Sequence, residues 1–354
     1  MFHLLLRDPI RHKNTLISIV DQTHIQKILP SANFLNAFLI CAVKWRDEEK
    51  AILIYKELID NKLTINEETW AHLLELCALS KFPETWRLGL DIWAACIEKS
   101  SVYQTRKMFL HTFTILTHLK DPKAAADLFE MANNEVVRLN RHHNTLQRGG
   151  VKNFGLDTRV RFFNGYASVL IESEHYVTVL EKFKDFSDTP FFKMAVSQKL
   201  ESTEMTVRLM IRIATETGDV LLAEKFLGLF REIGLEPCHS SYGRLMKMAG
   251  ASKDVKKLNE YFDISMLRIH PEPESSKWVS LHESLAVAQS NCGLPSESLK
   301  TIQKIIDCGK CPRRITFYDL IDHMEGSYLE EIKATFKSQM EKTNQWKQVL
   351  DKYK

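Results

Sequence analysis

Between Arg138 and Arg161 six cations, Arg138, Arg141, Arg148, Lys152, Arg159 and Arg161, face a single acid, Asp157. His142, His143, Phe154, Gly149, Gly150 and Gly155 lie among them. Cationic side chains neutralise phosphates and release their counterions, and an aromatic ring offers a face on which a base can stack. The stretch is therefore the candidate polyanion contact, expected as a basic insertion loop over 138–161. Gly149-Gly150-Val151-Lys152 lacks the Gly-Lys-Ser/Thr order that cradles a nucleotide, so no nucleotide site is expected there.

A second candidate is Cys308-x-x-Cys311, the spacing of a metal or redox pair, with Cys292 and His323 as the nearest companions in sequence. No second pair of this kind exists, and this one sits at a turn, so the cysteines read as small apolar side chains. His282-Glu283 lacks the second histidine of a zinc-protease helix. No Ser/His/Asp grouping or carboxylate cluster appears. The expectation is a non-enzyme without catalytic residues, metal, cofactor or small-molecule substrate.

The elements that must hold these residues are helices. Only 13 Gly and 10 Pro occur in 354 residues, too few breakers for a strand-and-turn architecture. Against 48 Lys and Arg stand 45 Asp and Glu, a formal charge of +3. A dedicated nucleic-acid domain is more basic, so any RNA contact must rest on local clusters. Seven cysteines at irregular spacing (Cys41, Cys77, Cys96, Cys238, Cys292, Cys308 and Cys311) point to reduced thiols rather than a secreted disulfide framework. The apolar run Phe34 to Val43 falls short of the roughly 18 residues of a membrane span, so none is expected. Met1 to Lys13 sets Leu4, Leu5 and Leu6 beside Arg7, Arg11 and Lys13. It reads either as a short organellar presequence or as the start of a helix continuing through Asn14 to Leu29.

Periodicity organises the rest. Leu35, Phe38, Leu39, Ala42 and Val43 recur at helical spacing, Trp45-Arg46-Asp47 interrupts them, and Ala51, Ile52, Ile54, Tyr55 and Leu58 form a second stripe. The plan returns as Trp70–Leu79 with Thr85–Ile97, Met108–Leu119 with Pro122–Met131, and Phe162–Ile171 with Tyr176–Phe186. It continues as Thr206–Thr215 with Val220–Ile233, Tyr242–Ala249 with Val255–Met266, Trp278–Gln289 with Ser296–Ile306, and Phe317–Met324 with Tyr328–Met340. About eight helical hairpins follow, none able to bury its stripes alone, so they must stack. Trp70, Trp86, Trp93 and Trp278 lie within these stripes and read as core. The mixed charge of Tyr328 to Lys354 reads as a solvated capping helix.

Gly218-Asp219-Val220 leads through Ala223 and Phe226 to Gly234-Leu235-Glu236-Pro237. The next unit runs from Ser241-Tyr242 through Tyr261-Phe262 to Ile269-His270-Pro271-Glu272, its proline 34 residues after Pro237. Gly309-Lys310-Cys311-Pro312 closes another unit, and Ile315-Thr316-Phe317-Tyr318-Asp319-Leu320-Ile321 opens the last. In these openings and closes the chain resembles the pentatricopeptide-repeat family, most clearly over 203–325 and again over 33–67. A tetratricopeptide array, the nearest competitor, lacks the Gly-x-x-Pro closes.

The resemblance implies an all-α, right-handed superhelical solenoid that binds single-stranded RNA in mitochondria or plastids, about one base per repeat. The family's base-reading positions fall here on Asn36 with Asn66, on Asn164, and on Arg208 with Cys238. They fall elsewhere on Ala71, Gly243 with Glu272, Glu283 with Arg313, and Tyr318. Ala71 and Gly243 offer no side-chain hydrogen bond, and Glu272 and Glu283 repel phosphate, so a complete modular code is not expected. The implied organisation is an N-terminal helical segment (1–32), repeats over 33–137, the basic loop (138–161), repeats over 162–325 and a cap (326–354). The implied function is RNA binding in the mitochondrial matrix in support of transcript stability, processing or translation. Its partners are single-stranded RNA or rRNA and other proteins of a ribonucleoprotein complex. The alternatives are a structural subunit of a large ribonucleoprotein such as the mitochondrial ribosome, and a tetratricopeptide-type protein adaptor.

Overall fold

The computed structural model describes residues 11–25, 30–98, 105–146, 154–232, 234, 237–269, 272 and 275–343. The first ten residues, 147–153 and 344–354 lie outside them, and so do the expectations placed there: the Met1 to Lys13 segment up to residue 10, Arg148, Lys152 and the end of the cap. The described residues are helices and their connections, without a strand.

Two compact units divide the chain, Met1–Ala195 and Val196–Lys354. The first holds α1 (Lys13–Ile25) and the hairpins α2 (Ala32–Lys44)–α3 (Glu48–Asp60), α4 (Glu67–Leu79)–α5 (Pro83–Glu98), α6 (Arg106–Leu119)–α7 (Pro122–Leu146) and α8 (Phe154–Glu172)–α9 (Tyr176–Ser187). The division falls within the short α10 (Pro190–Ser197), for which the sequence carried no expectation. The second unit holds α11 (Glu201–Glu216)–α12 (Val220–Glu232), α13 (His239–Ala251)–α14 (Val255–Ile269), α15 (Ser276–Asn291)–α16 (Pro295–Asp307) and α17 (Arg314–Ile321)–α18 (Gly326–Thr343). Each unit is an all-α stack of hairpins, the arrangement of a helical-repeat solenoid.

One turn, used six times, makes the hairpins. Arg46, Lys120, Glu174, Gly218, Lys253 and Gly293 take positive φ between 53° and 77°. The next residue in each case (Asp47, Asp121, His175, Asp219, Asp254, Leu294) donates its N–H to the carbonyl five residues back, satisfying an orphan acceptor of the first helix. Where that residue is Asp, its carboxylate then caps the second helix, accepting from the N–H of Lys50 at 3.2 Å, Ala124 at 3.0 Å, Leu222 at 2.9 Å and Lys257 at 3.0 Å. Four of the six left-handed residues are not glycine, although that conformation costs a side chain about 1 kcal/mol.

First and second helices differ in burial. In α15 ten residues are buried, in its partner α16 four; α4 buries eight and α3 three. The reason is position. First helices pack on one another, α2 on α4 on α6 on α8 and α11 on α13 on α15 on α17, as well as on their own partners. A second helix buries one stripe and turns its polar face to water.

The 138–161 stretch is not a loop over most of its length. α7 runs to Leu146, and Ala132 and Val136 continue beyond Met131 the buried stripe begun by Ala125 and Leu128. α8 begins at Phe154, with Thr158 and Val160 buried ahead of Phe162. The fourth hairpin also belongs to the first unit, so the expected division of the repeats at 138–161 moves to Ala195.

Candidate nucleic-acid interface

Thr105 caps α6 by accepting from Met108 N–H at 3.4 Å, which places Arg106 and Lys107 in its first turn. Cations there oppose the helix dipole. The packing of α6 on α8 supplies an offset: Asp157 Oδ2 accepts from Arg106 Nη1 at 3.3 Å and from Arg161 Nε, one turn along α8, at 2.7 Å. Two guanidiniums thus converge on one carboxylate oxygen. Both are about one-third exposed (34% and 35%), so their forks are oriented while reachable from water. Such a fork matches a phosphate in geometry and charge. Lys107 is exposed beside them.

Arg159 and Arg161 were expected together. Two positions apart on a helix, they point different ways: Arg159 lies over the ring of Phe191, 5.0 Å from its centroid, and Arg161 joins Arg106. Arg106 and Lys107 were not foreseen. The available signal was two cations directly after a capping threonine, where acids are the rule. Arg138 and Arg141 fall in the last turns of α7, their side chains outside the described residues, as Arg148 and Lys152 are entirely.

Beside this cluster an open cleft of about 470 Å³ lies between α4 and α6. Ala71 forms part of its lining, with Glu67, Glu68 and Glu75 on one wall and Arg106, Lys107 and His111 on the other. His72 Nδ1 is 2.9 Å from Glu75 Oε2. Burial holds His111 below its ordinary pKa against the pull of Glu75, and Lys107 and His72 act in the same direction as burial. The acidic α4 wall repels phosphate, so the favourable ground for a polyanion is the α6–α8 side.

The positions implied as base-reading are structurally engaged. Asn36 is 2% exposed, and its Nδ2 donates to Ala32 O at 2.7 Å and Thr64 O at 2.8 Å. Its Oδ1 accepts from Asn66 N–H at 3.1 Å, so the two expected partners do meet, as amide and backbone. That spends both Nδ2 hydrogens of Asn36 on the α3–α4 connection and its own helix. Asn66 itself is exposed and caps α4, accepting from Thr69 N–H at 2.8 Å. Asn164 is buried on α8 at 6% exposure. Arg208 Nη2 bonds Glu204 at 2.5 Å, and its charge reaches Cys238. Against burial, which pushes that thiol up, the hydroxyls of Ser240 and Ser241 and the charge of Arg208 hold Cys238 below its ordinary pKa. Glu283 is 1% exposed and repeats the Asn36 arrangement thirty residues ahead of Arg313: it accepts from Arg313 N–H and Nε, both at 2.5 Å. Ala71 and Gly243 carry no polar side chain, and Tyr318 packs beside Phe317.

The remaining candidates read as core. His282 is buried, its Nδ1 2.9 Å from Trp278 O and its ring against that indole; burial lowers its pKa. Cys308 and Cys311 are half-buried against the cluster of Trp278, Ile302, Ile305, Phe317 and Phe336. Trp70, Trp93 and Trp278 are buried, and the half-buried Trp86 stacks on His118 at 4.7 Å. Among the described residues no three His, Cys, Asp or Glu side chains gather as a metal ion requires, and no helix is long and apolar enough to cross a membrane.

No family model matches the chain, and no curated protein does. Among solved structures it is similar to the pentatricopeptide repeat protein PPR10 in complex with an 18-nucleotide psaJ RNA element, at 10% identity and a TM-score of 0.41. That match covers 91% of this chain and 52% of the other, so the chain spans about half the length of that protein. It is also similar to the PPR domain of Arabidopsis thaliana protein-only RNase P 1 in complex with tRNA, at 16% identity and a TM-score of 0.37, over 71% of this chain and 97% of that domain. The crystal structure of PPR10 from maize matches with a TM-score of 0.27 at 10% identity, over 93% of this chain and 56% of that one.

Proposed function

We propose that this chain is a non-catalytic, pentatricopeptide-like RNA-binding protein that meets single-stranded RNA at the α6–α8 face of its first unit. The observation that carries the reading is the convergence of Arg106 and Arg161 on one oxygen of Asp157, beside the exposed Lys107. The basic run beginning at Arg138 leads into the same helix pair from α7. Recognition there works through phosphate charge more than through base edges, because the amide of Asn36 is taken up by backbone. The family resemblance adds the setting: the mitochondrial matrix, in support of transcript stability, processing or translation.

A second reading, a structural subunit of a ribonucleoprotein such as the mitochondrial ribosome, is favoured by one observation. Arg208, Arg212 and Lys247 on the first helices of the second unit pair with carboxylates, as Arg106 and Arg161 do, and cations held within the fold suit a scaffold. Crosslinking in cells followed by sequencing of bound RNA separates the two. A discrete messenger segment is expected for the first reading and rRNA alone for the second, and absence of RNA sinks both. In vitro, replacing Arg106 and Arg161 by Gln should flatten the salt dependence of single-strand binding by about 0.7 units for each phosphate no longer neutralised. An unchanged slope removes the cluster from the site.

A further inference from the structure

The open cleft between α4 and α6, about 470 Å³, lies within the range of about 300–1,000 Å³ typical of small-ligand sites. Its walls differ in sign. On α4, Glu68, His72 and Glu75 share one helix face at four- and three-residue spacing. His72 stands between the two carboxylates, its Nδ1 2.9 Å from Glu75 Oε2 and its Nε2 3.9 Å from Glu68 Oε1. Glu75 is thereby oriented while its side chain stays 38% exposed, and its charge reaches His111 on the opposite wall. Ala71 lies on the same face between Glu68 and Glu75 and, being small, leaves the wall open there. Arg106 and Lys107 line the α6 side.

The α4 wall repels phosphate, and among the described residues its acids do not gather as a metal ion requires. A Lys or Arg side chain drawn to the carboxylates would meet Arg106 and Lys107 across the cleft. The ligand that suits both walls carries N–H donors at one end and negative charge at the other, as a ribonucleotide does. Guanine sets N1–H and N2–H side by side on its Watson–Crick edge, and one carboxylate accepts both as it accepts the parallel N–H groups of an arginine. Adenine and cytosine place a ring-nitrogen acceptor beside the amino group, and uracil flanks its one N–H with two carbonyls, so each turns an acceptor toward a carboxylate. The bond from His72 leaves Glu75 with lone pairs on both oxygens.

We infer that the α4–α6 cleft reads guanine: Glu75, held by His72, accepts from N1–H and N2–H of the base, while Arg106 and Lys107 take the phosphate of the same nucleotide. The acidic wall that a phosphate avoids is thus the wall that a base edge seeks. This deepens the RNA reading above and rests on it. Guanosine within RNA and the free nucleotide present the same chemistry, and the experiment separates them.

The experiment uses the full chain and three single strands: oligouridylate, the same strand with one central guanosine, and the same strand with inosine there, which lacks the N2 amino group. The guanosine strand should bind about tenfold more tightly than oligouridylate, within what a bidentate base contact discriminates, and the inosine strand should lose most of that gain. Glu75→Gln keeps the shape of the wall but turns an amide toward the base. It should bring the three strands within about twofold of one another without weakening oligouridylate. Equal binding of the guanosine and uridine strands by the wild-type chain overturns the inference. So does a guanosine preference that survives Glu75→Gln in a chain shown to be folded by circular dichroism. Should that variant not fold, the inosine strand decides alone, and inosine bound as tightly as guanosine overturns the inference. A lysine-rich peptide whose binding is weakened by Glu75→Gln, and which guanosine monophosphate does not displace, makes the cleft a protein site and also overturns it. Guanosine monophosphate bound as tightly as the guanosine strand makes the free nucleotide the ligand; weaker binding makes it RNA. If the chain binds none of the strands, the RNA reading fails, while guanosine against uridine monophosphate still decides what the cleft reads.

Discussion

In the first unit Gly165 of α8 lies against the ring of Phe113 on α6, whereas in the second Gly250 of α13 lies against the backbone of Ala288 on α15. The same four-hairpin plan is therefore held together differently. Rings fill the first unit: Trp93 on Phe109 at 5.1 Å, Phe109 on Phe162 at 5.2 Å, Phe163 on Phe186 at 4.1 Å. Close backbone approach at Gly250 joins first helices of the second, while ion pairs join first helices in both, Arg106 with Asp157 in one and Arg244 with Glu216 in the other. Small residues draw helices together, as Gly250 does against Ala288. One repeat plan thus accommodates two kinds of seam, one filled by rings and one closed by small residues.

The sharpest test of that contrast is a single methyl group. Gly250→Ala drives Cβ into backbone that cannot step aside and should cost about 2–3 kcal/mol. Gly165→Ala meets Cγ and Cδ2 of the buried Phe113 at 2.8 Å, a side chain that must shift as a whole but is not backbone, and should cost about 1–2 kcal/mol. Equal losses in chemical denaturation would break the distinction. Next in size is the amide that ties α3 to α4. Asn36→Ala strands the Thr64 carbonyl and the Asn66 N–H and should cost about 2 kcal/mol. At the corresponding place in the second unit, Glu283→Gln keeps an acceptor for Arg313 N–H and should cost under about 1 kcal/mol. A reversed order would mean that the ion pair, rather than the backbone hydrogen bond, holds the connection.

The smallest effect concerns pH. Burial lowers the pKa of His111 in the first unit, and of His239 and His282 in the second. Each is neutral when folded and binds a proton more readily unfolded, so its contribution is present above about pH 6.5 and is lost as pH falls through the lowered folded value. The second unit, with two such groups, should lose more protection on acidification from about pH 7 to about pH 5.5. Hydrogen exchange corrected for intrinsic rate reads this directly. Equal loss in both units would show that the histidines do not distinguish them.

The hairpins were legible because an apolar stripe at helical spacing is a local pattern, and Asp47 and Asp219 each stand where a cap was needed. The continuation of α7 was not, because Asn133-Asn134-Glu135 interrupts the stripe with polar residues that the helix simply turns outward. The site was harder still. Residue type announces that Asn36 can donate and accept, but only the fold shows that backbone takes those bonds. Arg106 and Asp157 are 51 residues apart and meet through the packing of α6 on α8, a meeting that no local pattern contains.

The turn that opens six of the second helices has a kinetic consequence. Its hydrogen bond spans five residues, so it can form on the timescale of short-loop closure, about 10–100 ns, with no help from a neighbouring repeat. Each hairpin then brings its two apolar stripes side by side before stacking begins. Assembly can therefore nucleate at any such hairpin and propagate in both directions, with no single obligatory nucleus.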